Sequence, residues 1–290
     1  MITGLVLATS APLPVQAPLS TPAQFRQIAR HPSFNVVVQP PGTRHILLVG
    51  SIDANMAAMF QQAQAHDPQI DTVMIDSYGG NINSAMEIAA LIRQRKLHLI
   101  VDGRCLSACA NYLFPAALSK TVLPGSVVAI HGLSATYYDD GQLKSATESQ
   151  AYDVFRSSSR TADREVFNRQ LARQSEFYRQ LGLRPEAHST FSHYLAHRKA
   201  LFGTDMIDAA QHAPGCPPAQ MWALDQQQWQ AMGVKGITAY WYPATSEQRQ
   251  QLLRDLGMPA DYFYYGAGAD LEQLCRPSLA TRIRNWFVSR

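Results

Sequence analysis

Between residues 36 and 131, short apolar runs alternate with segments of helical periodicity, and this alternation constrains the fold more than any other feature of the chain. "NVVVQPPGTRHILLVGSI" reads as two strands about a Pro-Gly turn, with β-branched and aliphatic runs at Val36 to Val38 and Ile46 to Val49. "DANMAAMFQQAQAHD" places Met56, Met59, Phe60 and Ala63 at helical spacing behind Asp53, a residue suited to capping a helix start. "TVMIDS" is a buried strand ended by "YGGN", and "INSAMEIAALIRQR" carries Ile82, Met86, Ile88, Ala89 and Ile92 on a helix. "LHLIVDG" is the next strand, residues 110–117 continue as helix, and "KTVLPGSVVAIHG" holds two more strand-like runs. Helices between successive strands imply parallel crossovers, so the expected fold class is α/β with a largely parallel sheet.

Downstream, residues 150–201 turn polar and helical, an inserted arm on which Val166, Leu171, Phe177 and Leu181 make an apolar stripe. "MWALDQQQWQAMGVKGI" predicts a short helix capped by Asp225 and closed by Gly233, leading into a final strand. With 290 residues and 46% hydrophobic content, the chain can build one main domain with a substantial core. The expected division is an N-terminal tail or degenerate export signal at 1–24, an α/β domain at 25–243 with the arm at about 150–201, and a C-terminal helical extension at 244–290. The tail has an apolar stretch from Ile2 to Ala8 and a small-x-small site at Val15 to Ala17, but no Lys or Arg precedes them. Both readings of the tail therefore stand.

Lys and Arg number 25 against 22 Asp and Glu, and a net charge of +3 is too weak to imply a nucleic-acid or membrane-surface partner. No apolar run approaches the roughly 20 residues of a membrane-spanning helix. An even set of cysteines, Cys105, Cys109, Cys216 and Cys275, permits disulfides without fixing their pairing. No Cys-x-x-Cys pair is present, and Cys105 and Cys109 flank a strand-to-helix junction, so no metal site is expected there.

Serine catalysis needs a hydroxyl in a strained or helix-start position, a histidine to take its proton, and N–H groups aimed at the developing oxyanion. Ser107, in "VDGRCLSACANYLFPA", follows the strand at 97–103 and opens a helix, which leaves the Ala108 N–H free to donate. Gly79 and Gly80 end a second strand, and His131 ends a third. Neighbouring parallel strands put their carboxyl ends along one edge, where open α/β folds place their sites. Taken singly, Ser107 is a small residue filling a corner, Gly-Gly a turn and His131 a rim residue; together, at three strand ends, they favour chemistry.

The succession "IDSYGGNINSAMEIAALIRQ", "VDGRCLSACANYLFPAA" and "LPGSVVAIHG" resembles the Clp protease proteolytic subunit and its ClpP-like relatives in the ClpP/crotonase superfamily. The resemblance spans roughly residues 36–132 and resumes at "ALDQQQWQAMGV", and cysteines on both sides of the serine are especially similar to the exported, periplasmic branch. It implies a spiral of ββα units and a serine endopeptidase without cofactor, acting on a peptide or protein substrate. Ser107 is then the nucleophile, His131 the general base, and the N–H groups of Gly80 and Ala108 the oxyanion hole, with Gly79 shaping the turn. The same resemblance implies a periplasmic or secreted protein, cytoplasmic if the tail is no signal, and makes a homo-oligomer a candidate assembly.

The chain departs from the family at the triad acid. Where the family carries a carboxylate before its closing helix, this chain has "GCPPAQMWALD", whose carboxylate is Asp225. Asp205 or Asp208 could reach in from the preceding loop, or the site works as a Ser-His dyad, and a peptide-binding module with weak or lost activity is the alternative. An acyl-CoA enzyme of the crotonase type shares the oxyanion device but needs no serine nucleophile.

His188, His193 and His197 have the look of a metal set, but no Glu follows the first helical His, and a solvated helix face is the stronger reading. Tyr137, Tyr138, Tyr240, Trp241 and Tyr242 could line a groove, although edge packing explains them as well. The C-terminal "RIRNWFVSR" is expected to pack against the body rather than to touch a membrane.

Overall fold

One strand that changes partners half-way along its length organises the sheet. The computed structural model describes residues 36–40, 42–132, 134–139, 142–147, 161–202 and 219–271. β1 (Val36–Val38) runs antiparallel to β2 (His45–Ile52), and α1 (Ala54–His66) follows, capped by Asp53, whose side chain accepts from the Met56 N–H. β3 (Thr72–Gly80), α2 (Ile82–Gln94) and β4 (His98–Leu106) come next, with β2, β3 and β4 all parallel.

While β3 advances from Ile75 to Ser77, β4 advances from Val101 to Cys105, so β4 bulges. Gly103 takes the bend at φ +121°, and a Cβ there would lie 2.5 Å from Asp76 Oδ2. Asp76 occupies that space because it binds Arg104 three times: the backbone N–H at 2.9 Å, Nε at 2.7 Å and Nη2 at 3.0 Å. Before the bulge β4 pairs with β5 (Ser119–Val122), and beyond it with β6 (Val127–Ile130), both parallel. Between β4 and β5 lie a π turn, Cys109–Leu113, and a short α turn, α3 (Phe114–Ala116).

An antiparallel hairpin not expected from the sequence, β7 (Ser134–Asp139) and β8 (Gln142–Thr147), follows β6. The arm is α4 (Thr161–Leu181) and α5 (Glu186–Phe202). β9 (Met221–Ala223) then adds antiparallel to β6, followed by α6 (Gln226–Ala231), β10 (Ile237–Tyr240) beside β5, α7 (Ser246–Leu256), β11 (Phe263–Tyr264) parallel to β9, and α8 (Gly268–Leu271). The sheet order is β1-β2-β3-β4-β6-β9-β11, with β5 and β10 branching off β4. The fold is thus mixed α/β with a mostly parallel sheet.

Successive strand residues point to opposite faces of a sheet that is buried on both, so that Ile46 and Leu48 join one cluster and Leu47 and Val49 another. Ile46, Leu48, Val73, Ile75 and Leu99 join Met56, Phe60, Met86, Ile88 and Ile92 of α1 and α2 in the main core. A second cluster joins Leu106, Val127, Ala129, Met221 and Ala223 to Leu252, Leu253 and Phe263. The stretch expected as a C-terminal extension therefore supplies a strand of the main sheet and part of a core. β3 and β4 also outrun their expected ends at Ser77 and Gly103, because ladder pairing continues to Gly80 and Leu106.

The arm's inward face shares Phe177 and Leu181 with the expected stripe, both packed against the main core, but not Val166. Val166 is 50% exposed, whereas Phe167, Gln170, Gln174 and Tyr178 are buried. The polar members sit inside because they have partners there: the Tyr112 hydroxyl donates to Gln174 Oε1 at 2.6 Å, and Tyr178 reaches the Asn111 carbonyl. Residues 1–24 and the segment "RIRNWFVSR" lie outside the described residues, as do Cys216 and Cys275. Among the described residues no helix is long and apolar enough to cross a membrane.

Candidate active site

At the end of β4 the chain turns on Ser107, whose φ of +53° is left-handed. An L-residue pays about 1 kcal/mol or more for that conformation, so the surroundings must hold it. The Ser107 N–H donates to the Ala129 carbonyl at 3.0 Å, and the Asn111 N–H donates back to the Ser107 carbonyl at 2.8 Å. A disulfide from Cys105 to Cys109 closes the corner covalently. Ser107 thus sits inside a short oxidised loop, a pairing the cysteine count had left undetermined.

The helix beyond the corner is locally wide, its Phe114 N–H reaching back to the Cys109 carbonyl. Pro115 has no N–H to offer the Asn111 carbonyl four residues earlier, and the Tyr178 hydroxyl of α4 donates to it instead at 3.1 Å. The arm is thereby fastened to the helix that carries the serine. Tyr112 adds edge-on ring contacts to Phe177 and Tyr178.

β6 ends at Ile130 beside β4, which brings His131 to the same edge. Ser107 Oγ and His131 Nε2 are 2.6 Å apart, and both residues are half-buried, within reach of a ligand. Burial pushes the His131 pKa below its ordinary value, against an upward pull from a hydrogen bond to its own backbone. The neutral imidazole is the form that accepts a serine proton at Nε2, so its other nitrogen carries the ring N–H.

Gly79 presses against this corner from β3. With φ at +91°, a Cβ on Gly79 would stand 2.6 Å from Leu106 O, 2.7 Å from Ser107 Cβ and 2.8 Å from the Ala108 nitrogen. The Gly79 N–H is taken by Ser77 Oγ at 3.1 Å. A Cβ on Gly80 would collide with the Ile52 carbonyl. Ala108 stands at the helix start, where N–H groups have no intrahelical acceptor. Ser107, His131, Gly79 and Ala108 are thus brought together, with the Gly79 N–H already committed and the Ala108 N–H beside the serine.

The acid is another matter. Asp225 caps α6: its carboxylate accepts from the Gln228 N–H at 2.8 Å, while Gln228 Oε1 accepts from the Asp225 N–H at 2.7 Å. Its charge lies near the Tyr240 and Tyr242 phenols, which burial and that charge push upward. Asp225 is a helix cap in this structure and does not bond to His131. Asp205 and Asp208 lie outside the described residues. Among the described residues no carboxylate bonds to the His131 imidazole.

α5 packs behind His131 instead. A Cβ on Gly132 would collide with Ser192 Oγ and lie 3.2 Å from the His188 carbonyl. His188 is 1% exposed, with Nε2 3.0 Å from the Tyr178 hydroxyl, and burial followed by repulsion from His131 pushes its pKa down to about 3. Asn111 Nδ2 donates to the Gly132 carbonyl at 3.3 Å. The set of His188, His193 and His197 is split, since His193 and His197 are exposed while His188 faces inward. No group of three metal-ligating side chains occurs among the described residues. Tyr178, the neighbour of His188, carries no signal in the sequence, because nothing in a polar helix announces which turn will face the site.

Of the groove aromatics, Tyr240 donates to the Leu224 carbonyl at 2.6 Å and accepts from Trp229 Nε1 at 3.0 Å, which is packing. Trp241 packs on the second core cluster, and the side chains of Tyr137 and Tyr138 lie outside the described residues. No protein-family model matches the chain, and no curated protein matches it.

Proposed function

We infer that the protein is a serine hydrolase of peptide bonds, built as a ClpP/crotonase-like spiral and working through Ser107 and His131. The observation that carries this reading is the 2.6 Å approach of Ser107 Oγ to His131 Nε2, with the serine held left-handed at a strand-to-helix corner. His131 takes the hydroxyl proton as Oγ attacks the carbonyl, and returns it to the leaving amine; water then releases the acyl group by the same route. The Ala108 N–H, with that of Gly80, receives the oxyanion. The Gly-Gly end of β3 supports an extended peptide as substrate, since backbone can approach it closely. The buried bridge beside the nucleophile supports an oxidising compartment, periplasmic or secreted. No cofactor enters this chemistry, and self-association rests on the family resemblance.

A second reading, a peptide-binding module of weak activity, is favoured by Asp225, whose carboxylate is engaged in capping α6 rather than in orienting His131. An imidazole without an orienting acid costs a triad enzyme several powers of ten. Fluorophosphonate labelling, with the modified residue located by peptide mass spectrometry, separates the two. Labelling at Ser107 that is lost in Ser107→Ala and reduced in His131→Ala supports the hydrolase. No labelling of the folded protein supports the binding module, and labelling at another serine overturns the assignment.

A further inference from the structure

A pocket of about 240 Å³ opens where the far end of the serine-bearing helix meets the ends of α2 and α4. Among the described residues its charged lining is all of one sign: Arg93, Lys96, Lys120 and Lys235, with no Asp or Glu. The rest is apolar, from Pro115 to Leu118 together with Leu181 and Leu183, and Leu118 is 54% exposed. Two of the cations have a local explanation, because Arg93 and Lys96 stand at the carboxyl end of α2, whose partial charge is negative.

Lys120 has no such explanation. It is 2% exposed, and its ammonium is held between the Ala117 carbonyl at 2.7 Å and the Lys235 carbonyl at 2.5 Å, both from residues that line the pocket. Those two bonds use two of three N–H donors and bring no negative charge. Among the described residues no ion pair joins Lys120, and burial lowers its pKa to about 8, so it is still mostly charged at neutral pH. A buried cation without a counter-charge is costly, and a bound anion relieves that cost.

We propose that this pocket binds a small amphiphilic anion, its carboxylate or phosphate on Lys120, Lys96 and Lys235 and its short apolar body against Leu118, Leu181 and Leu183. The ammonium groups are point charges that suit either head group, and the apolar wall selects a ligand with a hydrocarbon portion. The site is separate from Ser107 and does not depend on the reaction assigned there.

Isothermal titration of the full chain with hexanoate, inorganic phosphate, hexanol and hexylammonium tests it. Hexanoate is expected to bind, hexanol and hexylammonium to bind at least about tenfold more weakly, and Lys120→Met to cost about tenfold or more in hexanoate affinity. Because Lys120→Met removes a buried group, Lys96→Ala and Lys235→Ala, both exposed, serve as second variants with losses of several-fold. Phosphate binding as tightly as hexanoate keeps the site and assigns the recognition to the anionic head alone. No binding of either anion, equal binding of hexylammonium, or unchanged affinity in all three variants overturns the proposal.

Discussion

The Tyr178 hydroxyl stands 3.1 Å from the Asn111 carbonyl and 3.0 Å from His188 Nε2, with one proton to give. A carbonyl only accepts, so the hydroxyl donates to Asn111 and His188 Nε2 must donate to the hydroxyl. That fixes the His188 tautomer, with the proton on Nε2 and a bare lone pair on Nδ1, which has no hydrogen-bond partner among the described residues. The arm therefore brings a neutral, polar ring to the back of the corner that holds His131.

Acid should destabilise the fold through this ring. The folded pKa of His188, about 3, lies below its ordinary 6.5, so in that interval the unfolded chain binds a proton that the native one refuses. Stability is full above 6.5 and falls as pH drops towards 3, by up to about 1.4 kcal/mol per pH unit. His131, shifted in the same direction, adds to the fall. His188→Phe leaves Tyr178 its Asn111 acceptor and removes one titration. Urea midpoints from pH 7.5 to 4.5 are expected to decline less steeply in the variant, and an unchanged slope contradicts the assignment.

Ser107 should invert the usual order of alanine and glycine. Glycine normally destabilises relative to alanine, but at φ +53° the alanine methyl pays the left-handed penalty and glycine does not. Ser107→Gly is expected to be more stable than Ser107→Ala by about 1 kcal/mol in denaturant titrations. Ser107→Ala at least as stable as Ser107→Gly would mean that the corner is not strained in solution.

Gly79 should be intolerant of even a methyl group. Its added Cβ would meet backbone at Leu106 O and Ala108 N, under 3 Å, where no flexible side chain can give way. Gly79→Ala is expected to displace the Ser107 corner and to slow fluorophosphonate labelling about a hundredfold or more, since misplacement by about 1 Å costs that much. Labelling at the wild-type rate would show that the β3 end does not support the site.

How much of this was legible depended on whether a feature is local. Asp53 and Asp225 were readable as caps because a carboxylate three residues before its N–H partner is a property of the chain itself. The parallel sheet was readable from period and length, and so was the meeting of Gly79, Ser107 and His131 at strand ends. The β4 bulge was not, because it rests on Asp76 meeting Arg104 across two strands. Nor was the whole inward face of α4: Phe177 and Leu181 of the apolar stripe pack against the core, but Gln170 and Gln174 are buried as well, and the helix is fastened by Tyr112 and Asn111, fifty or more positions away. β11, two residues long, is a strand only because β9 is beside it.

The Cys105–Cys109 bridge should matter more to the corner than to the whole fold. A loop this short gives only about 2 kcal/mol of unfolded-state restriction. Both cysteines are fully buried, so reductant should not reach the bridge while the protein is folded. Alkylation with tris(2-carboxyethyl)phosphine present is expected to find no Cys105 or Cys109 thiol until urea is added. The Cys105→Ala and Cys109→Ala double variant should unfold about 2 kcal/mol earlier and label several-fold more slowly. Rapid reduction in native buffer would show that the corner opens readily.

Arg104 joins three parts of the molecule. It forms a buried pair with Asp76, lies 4.0 Å over the Tyr78 ring and bonds its hydroxyl, and reaches the Leu256 carbonyl at the end of α7 at 3.5 Å. Arg104→Met should therefore cost about 3–5 kcal/mol at neutral pH, most of it from leaving Asp76 buried and unpaired. Burial already raises the Asp76 carboxyl above its ordinary 3.8, and losing the arginine raises it further. In the variant the folded state then binds a proton at Asp76 that the unfolded state releases, so the destabilisation from that carboxylate shrinks as pH falls. Denaturant titrations at pH 8 and pH 5.5 are expected to show its deficit against the wild type narrowing at the lower pH. Asp76→Leu combined with Arg104→Met should recover much of the loss at both. A deficit independent of pH would place the cost in the Tyr78 and Leu256 contacts instead of the charge.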